Sequence, residues 1–424
     1  MSPITQTQLQ QPALKSGDAM TSPGSLDGKT ITGGHKSPAD SILFTAVRPD
    51  LVMERGEGMY LWDTAGNRYL DFTGGWAVNS LGHSPAALQE ALARQASLLV
   101  HASPAFYNKP MLEFAKLLTD ISCFDKVFFT STGAEANESA VKLARKYGAL
   151  HKNGAYEIIT VTNGFHGRTL AMMSATGKPQ WQTLFEPKVP GFKHVPLNDI
   201  DALFAAVSDN TCAIMLELVQ GEGGVHAANE SYLYAIRKMC DIYDIMLIVD
   251  EVQTGLGRTG AMFAYEHYGI EPDIMTLGKG VGGGFPLAAM LAKEKLDLFE
   301  AGDQGGTYTG QPLGMAAGLA VVQEIMKRDL AQNAAVQGQY LLDGLQKLAS
   351  KHNLSNIRGK GLLVAFDLPY HYGSELVAAC REAGLLVNSP QPGTIRLMPP
   401  LIVQQSDIDD MLRLLDQALS QFAG

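Results

Sequence analysis

Three stretches of the chain are almost continuously apolar: EIITVT over 157–162, AIMLELV over 213–219 and IMLIVD over 245–250. Such runs mark strands covered on both faces, as in a parallel sheet; a strand with one wet face would alternate instead. Helical patterns lie between them. After the shorter run VFFT (127–130), Ala136, Ala140, Leu143, Ala144 and Tyr147 recur on one helical face. Strand and helix alternate, so the pattern predicts an α/β core. GMYLWDTAGNRYLDF alternates apolar and polar positions around Ala65-Gly66-Asn67, which predicts a hairpin. Near the C-terminus LLVAFDL, a helix over about 373–383 and TIRLM predict a smaller α+β unit. Ser406 is expected to cap a final helix whose face is Ile408, Met411, Leu412, Leu415, Leu419 and Phe422. There is no internal repeat.

Residues 1 to about 40 are rich in Ser, Thr, Gly, Pro and Gln, with no Phe, Tyr or Trp before Phe44. This composition predicts a disordered extension. It has neither the apolar core of a signal peptide nor, with the first Arg at Arg48, the basic character of a mitochondrial presequence. Over all 424 residues, 46% are hydrophobic and 18% charged, enough apolar material for a substantial core. The formal charge of −10 argues against a sequence-independent nucleic-acid binder. No apolar run is long enough for a transmembrane helix, and no polybasic block marks a membrane surface. Cys123, Cys212, Cys240 and Cys380 match no zinc or redox spacing. They read as buried small hydrophobes in a reducing, cytoplasmic compartment.

The 44 glycines concentrate the chemical interest, because glycine-bearing loops follow the apolar runs that end near 130, 162, 250 and 277. In open α/β sheets ligands bind beyond the carboxyl ends of the strands, so these loops are expected to converge on one site. Ser131-Thr132-Gly133-Ala134 opens a helix and offers N–H groups and hydroxyls to a phosphate, or merely caps the helix. Asp250 ends a strongly apolar strand. A carboxylate there needs a partner, either a cation such as a protonated ring nitrogen or the N–H groups of a cap. Lys279 in LGKGVGGGFP is flanked by glycines that leave room around its amine. Partial burial would favour Schiff-base chemistry, whereas a solvated side chain is the ordinary lysine. A phosphate cradle, a buried Asp and a glycine-flanked Lys at three strand ends together match the needs of pyridoxal phosphate.

YLDFTGGWAVNSLGH, FFTSTGAEANESAVKLAR, NGFHGRT, ELVQGEGGV, LIVDEVQTGLGRTG, TLGKGVGGGFP, GTYTGQPL and TIRLMPPL follow one another in this order. From about residue 42 onward the chain resembles the class III (subgroup II) pyridoxal-phosphate aminotransferases, most of all those for acetylornithine and succinylornithine. The resemblance implies fold type I: a large domain on a mostly parallel seven-stranded sheet, plus a smaller α+β domain. It places an N-terminal segment joining the small domain at 41–95, the large domain at 96–320 and the small domain at 321–424.

The same resemblance implies pyridoxal 5′-phosphate as cofactor and assigns residue roles. Lys279 would be the Schiff-base lysine and proton carrier, and Asp250 would pair with the pyridinium nitrogen. Val252 and Phe165 would cover the two faces of the ring, and Gln253 would approach its phenolic oxygen. Thr132, Gly133 and Ala134 would hold the phosphate. Thr307 would reach the phosphate of a neighbouring subunit, which implies a homodimer with active sites at its interface. Glu217 would be an acid near Asp250 and Gln253. Arg168 would bind the carboxylate far from the reacting amine, and Arg396 the α-carboxylate of glutamate or 2-oxoglutarate. Glu222 would cover Arg396 when an ω-amine is bound; the two also read as a structural ion pair. The partners are then a small-molecule amine and a 2-oxo acid.

Trp76, Pro104, Gln304 and Gln311 depart from the family's usual residues. Trp76 and Pro104 fall near the family's substrate entrance, so the donor stays open among N-acetylornithine, N-succinylornithine, ornithine, 4-aminobutyrate, a diamine and a larger amine. An aminomutase or racemase is a rival on the same fold. Such relatives can lack the pairing of Glu222 with Arg396, which is present here.

Overall fold

The apolar runs become strands of one seven-stranded sheet in a computed structural model that describes residues 38–422. These strands are β1 (Lys126–Thr130), β2 (Glu157–Val161), β3 (Phe192–Val195), β4 (Thr211–Leu216), β5 (Met246–Asp250), β6 (Ile274–Leu277) and β7 (Ala288–Ala292). Their spatial order is β1-β7-β6-β5-β4-β2-β3. Only β7 runs antiparallel to its neighbours, β6 and β1. Every residue of β4, β5 and β6 is buried, as strands with helices on both faces require. The run AIMLELV does not form one strand: β4 stops at Leu216, and Val219–Gln220 belong to a separate two-stranded ladder. Glu217 therefore sits just beyond a strand end.

Of the described residues, 51–422 belong to one compact unit and 38–50 to another. The extension expected over residues 1–40 lies, up to residue 37, outside the described residues; Pro38–Ser41 form a single 3-10 turn. The predicted hairpin is formed by Tyr60–Asp63 and Arg68–Asp71, with Trp62 opposite Arg68. Arg68–Asp71 also pairs in parallel with Leu385–Leu386, tying the beginning of this unit to its end. Ser355–Lys360, Leu363–Asp367, Thr394–Leu397 and Asn388–Gln391 form an antiparallel sheet in that order. The last helix, Gln405–Leu419, begins earlier than expected. Gln404 rather than Ser406 is its cap, in a reciprocal capping box with Asp407. Its buried residues are Ile408, Met411, Leu415, Ala418 and Leu419.

Candidate active site

The loops at the carboxyl ends of β1, β2, β5 and β6 converge as expected. Beyond β1, the helix Gly133–His151 starts at Thr132, whose side chain accepts from Glu135 N; Glu135 Oε2 accepts from Ser131 N at 3.0 Å and Thr132 N at 2.8 Å. Thr132 is thus a helix cap in its own right. Among the described residues the Gly133 and Ala134 N–H groups have no partner, and both belong to the helix's first turn. A Cβ on Gly133 would lie 2.7 Å from Val252 Cγ1, so only glycine lets the helix start sit this close to the loop after β5. Gly278, just before Lys279, packs against the same two residues.

At the end of β5, Asp250 is almost fully buried and held from three directions. Asn137 Nδ2 donates to Oδ2 at 2.8 Å, His166 Nδ1 lies 2.8 Å from the same oxygen, and Val252 N donates to Oδ1 at 3.0 Å. Asn137 is fixed in turn, donating to His166 O and accepting from Thr276 Oγ1. Burial alone would lower the pKa of His166, but the hydrogen bond and charge of Asp250, with the charge of Glu217, raise it. Glu217 accepts from Phe165 N at 2.9 Å and Gly221 N at 3.2 Å. Burial, reinforced by the charge of Asp250, pushes its carboxyl up to about 7.

Lys279 opens a short 3-10 turn after β6 with φ of 45°, a left-handed conformation that a lysine adopts only when its surroundings impose it. Among the described residues its Nζ makes no hydrogen bond or ion pair. Burial, with help from the Arg396 guanidinium, lowers its pKa; the charges of Glu222, Glu217 and Asp250 oppose the shift. A lysine amine with a lowered pKa is both nucleophile and proton acceptor.

Opposite this floor lies a charged wall. Arg396, on the strand Thr394–Leu397, is fully buried. It donates to Glu222 Oε1 at 2.8 Å, to Asn388 Oδ1 at 2.7 and 3.1 Å, and to Gln253 Oε1 at 3.2 Å. The other end of the Gln253 amide, Nε2, is buried without a partner. Arg258 joins the loop after β5 to this wall by donating to the carbonyls of Leu362 and Pro399. Phe165 and Trp181 stand edge to face with centroids 5.8 Å apart, and the exposed Arg168 lies over Trp181 at 5.1 Å. Trp76 is 58% exposed on a left-handed turn. Thr307 is exposed on the loop Gln304–Thr309, which with Thr130, Ser131 and Glu135 lines a cleft of about 160 Å³; its carbonyl lies 2.7 Å from His101 Nε2.

Lys279, Asp250, Val252, Gln253, Glu217, Phe165, Gly133, Glu222 and Arg396 are thus linked by direct contacts or by one another's charge. Arg168 joins them through the Trp181 ring; the turn Gly74–Ala77 that carries Trp76 packs against the turn Lys279–Gly282, and Thr307 reaches the phosphate loop only through the cleft it shares with Ser131 and Glu135. Asn137, His166, Lys178 and Trp181 were not singled out in the sequence. Asn137 and His166 had a signal there: Asn137 is one helical turn after Gly133, facing back to the strand ends, and His166 lies within GFHGRT.

A family model described as class III aminotransferase matches residues 45–419. The chain is 49% identical over 382 residues to an acetylornithine aminotransferase of Caldanaerobacter subterraneus, covering 90% of this chain and 97% of that one. It is 50% identical over 384 residues to acetylornithine aminotransferase 2 of Bordetella bronchiseptica, with the same coverage. Among solved structures, an ornithine aminotransferase from Toxoplasma gondii superposes with a TM-score of 0.87 at 31% identity, covering 91% of this chain and 94% of that one. An acetylornithine aminotransferase from Elizabethkingia anophelis does so with a TM-score of 0.80 at 33% identity, covering 91% and 97%.

Proposed function

Since the chain belongs to the class III aminotransferases, we propose that it moves the ω-amino group of an N-acetylornithine-like donor to 2-oxoglutarate, giving an aldehyde and glutamate, with pyridoxal 5′-phosphate as cofactor. The observation that carries this reading is Lys279: a buried, unpartnered amine of lowered pKa, on a strained turn beside the fixed carboxylate of Asp250. The surrounding residues fit the cofactor. The free N–H groups of Gly133 and Ala134 suit its phosphate, and Asp250 suits a ring cation. The unpartnered Gln253 Nε2 suits a phenolic oxygen, and Val252 and Phe165 suit two ring faces. Nine-tenths coverage of acetylornithine aminotransferases at about half identity supports the donor.

When bound, the cofactor supplies an aldehyde for amines and a ring that accepts the electrons of a breaking carbon–hydrogen bond. Lys279 Nζ anchors it and, once free, takes the proton from the substrate carbon that bears the amine and later returns one. Asp250, braced by Asn137 and His166, keeps positive charge at the strand end. Arg396 binds the α-carboxylate of 2-oxoglutarate as a planar fork, and Arg168 binds the distal carboxylate. Glu222 covers Arg396 while an ω-amine occupies the site.

The active species is a homodimer in the cytoplasm, with Thr307 serving the partner's site. Exposed Leu98, Val100, Phe106, Tyr107 and Tyr308 support an interface near Thr307, since Tyr308 stacks edge to face with His101 of the same stretch. Four free cysteines support a reducing compartment, and no helix among the described residues is long and apolar enough to cross a membrane. We assign the large domain to 96–320, and the small one to 321–424 joined by 41–95.

The test is a donor panel with 2-oxoglutarate as acceptor. N-acetylornithine should give glutamate with the highest kcat/KM. Faster transfer from ornithine, 4-aminobutyrate or a diamine would reassign the donor, and isomerisation without glutamate would make the protein a mutase or racemase.

A further inference from the structure

The two oxygens of Glu222 face two different cations. Oε1 accepts from Arg396 at 2.8 Å, while Oε2 lies 3.7 Å from Lys178 Nζ. The first distance is a full charge-assisted hydrogen bond; the second is a loose ion pair with room to shorten. Lys178 precedes a short 3-10 turn, Pro179–Trp181, and its side chain is only 14% exposed. Its Nζ sits in an aromatic corner, 5.2 Å from the centroid of Phe165 and 5.4 Å from that of Trp181. Among the described residues, Glu222 is its only carboxylate within ion-pair reach. We propose that Lys178 is the second resting partner of Glu222, the residue that receives its carboxylate when a dicarboxylate takes over Arg396, and so sets the balance between the two substrates. This rests on the transamination reading above.

The argument is one of charge conservation in a half-buried place. The other neighbours of the Arg396 guanidinium, Asn388 and Gln253, are neutral, so an incoming α-carboxylate must replace Glu222. A displaced carboxylate with no cation nearby would be left unpaired where water solvates it poorly, and that cost would weaken dicarboxylate binding. Burial alone would raise the pKa of Glu222, but the charges of Arg396, Lys279 and Lys178 outweigh it and keep the carboxylate ionised. At rest Lys279 anchors the cofactor, and in the 2-oxoglutarate half-reaction its amine, of lowered pKa, is taken up with moving a proton at the reacting carbon, so in either state Lys178 is the cation left for Glu222. Turning Glu222 from Arg396 to Lys178 tightens an existing contact, and the two rings already hold the lysine in place. Trp181 also carries Arg168, so the carboxylate reader and the receiver of Glu222 share one ring.

The test uses the loaded enzyme with Lys178→Gln, Lys178→Arg and Glu222→Gln. The two half-reactions are followed separately, and glutarate, which has two carboxylates but no amine or keto group, is titrated calorimetrically. Lys178→Gln should weaken glutarate binding and raise the KM for 2-oxoglutarate about tenfold, with the N-acetylornithine half-reaction changed less than about twofold. Lys178→Arg, which keeps the cation, should restore most of the loss. In a Glu222→Gln background, Lys178→Gln should have no further effect, because the charge it serves is gone. Equal changes in both half-reactions, no change in glutarate binding, or an effect that persists without the Glu222 charge would each overturn the proposal. Arg396→Ala separates the two readings. If the unaltered enzyme shows no 2-oxoglutarate half-reaction, the transamination reading itself fails; if that half proceeds and Arg396→Ala removes it while Lys178→Gln leaves it intact, only the role of Lys178 falls.

Discussion

Asp250 and Arg396 are both buried charges in one site, yet their surroundings differ in kind. Asp250 is held by Asn137, His166 and Val252, and Asn137 is itself tied to Thr276 and the His166 carbonyl. None of these partners has an alternative place to go. Arg396 instead meets a carboxylate that is a quarter exposed and already has a second cation within 3.7 Å. On the proposed reading the floor stays the same through both half-reactions, and the wall exchanges one carboxylate for another. That is the division of labour an enzyme needs when one reaction centre must serve two differently charged substrates.

The largest test of the comparison is on the floor. On the proposed reading Lys279→Ala removes both anchor and proton carrier, and turnover should fall about 10⁴-fold with both substrates alike. The visible absorbance of the anchored cofactor should vanish, as should trapping by borohydride. Borohydride labelling of a different lysine in the native protein would displace Lys279 from its role. On the wall the loss should be one-sided. Arg396→Ala should cost about 2–5 kcal/mol in the 2-oxoglutarate half-reaction, by analogy with truncated buried charge pairs, and far less in the amine half. Glu222→Ala should shift preference the other way, towards α-amino acids such as glutamate. Losses shared equally by both halves would mean that the wall is as rigid as the floor.

The same contrast decides what was legible in the sequence. The apolar run that becomes β5, and the loops that collect at the strand ends, are written in local pattern because burial on both faces demands it. Strands that lack such a face were not legible: Met53–Glu57 and Ser355–Lys360 are polar edge strands without a buried residue, the first mostly exposed and the second half exposed. AAMLA, which becomes β7, has the propensity of a helix, and its place between β6 and β1 overrides it. The glycine loops, Asp250 and Lys279 declared themselves by type and position. Asn137 and His166 left only a positional hint, because their meaning lies in reaching an aspartate 113 and 84 residues away. Lys178 is an ordinary surface residue until folding sets it against Glu222 and two rings.

Burial on the floor also leaves a signature in pH. Burial pushes the Glu251 carboxyl, which accepts from Ala264 N and Tyr265 N, up to about 8, and that of Glu217 to about 7. The folded state therefore keeps protons that the unfolded chain releases near the ordinary glutamate value of 4.5. The contribution of these two groups is full below that value and is lost as pH rises towards about 8. The raised pKa of His166 acts in the same direction, since its contribution is lost as pH rises through the folded value. Glu251→Gln should flatten the decline in stability between pH 6 and pH 9 by on the order of 2 kcal/mol, given about 1.4 kcal/mol per pKa unit. Denaturant unfolding at the two pH values measures the slope directly, and an unchanged slope would mean that Glu251 is ionised when folded.

The smallest effect is expected at Trp76, which tests how far the exchangeable wall extends. Gly74, Gly75, Trp76 and Ala77 have φ of 53°, 64°, 62° and 64°, one turn of left-handed backbone. Such a turn costs L-residues about 1–2 kcal/mol each, so its neighbours must impose it. Asp71 Oδ1 accepts from Thr73 N, Thr73 Oγ1 and Gly74 N, while Oδ2 lies 2.9 Å from His83 Nε2. Met398 N donates to Phe72 O just ahead of the turn. The Trp76 side chain itself is mostly exposed and contributes little to the core. If its bulk narrows the entrance, Trp76→Ala should raise kcat/KM for larger amines about tenfold, in the range of small changes to an apolar pocket, and leave cofactor absorbance unaltered. Trp76→Gly removes the same bulk and relieves the positive φ, so it should match Trp76→Ala in donor range but exceed it in stability by about 1 kcal/mol. A donor range that widens with glycine and not with alanine would assign the selectivity to the stiffness of the turn rather than to the size of the ring.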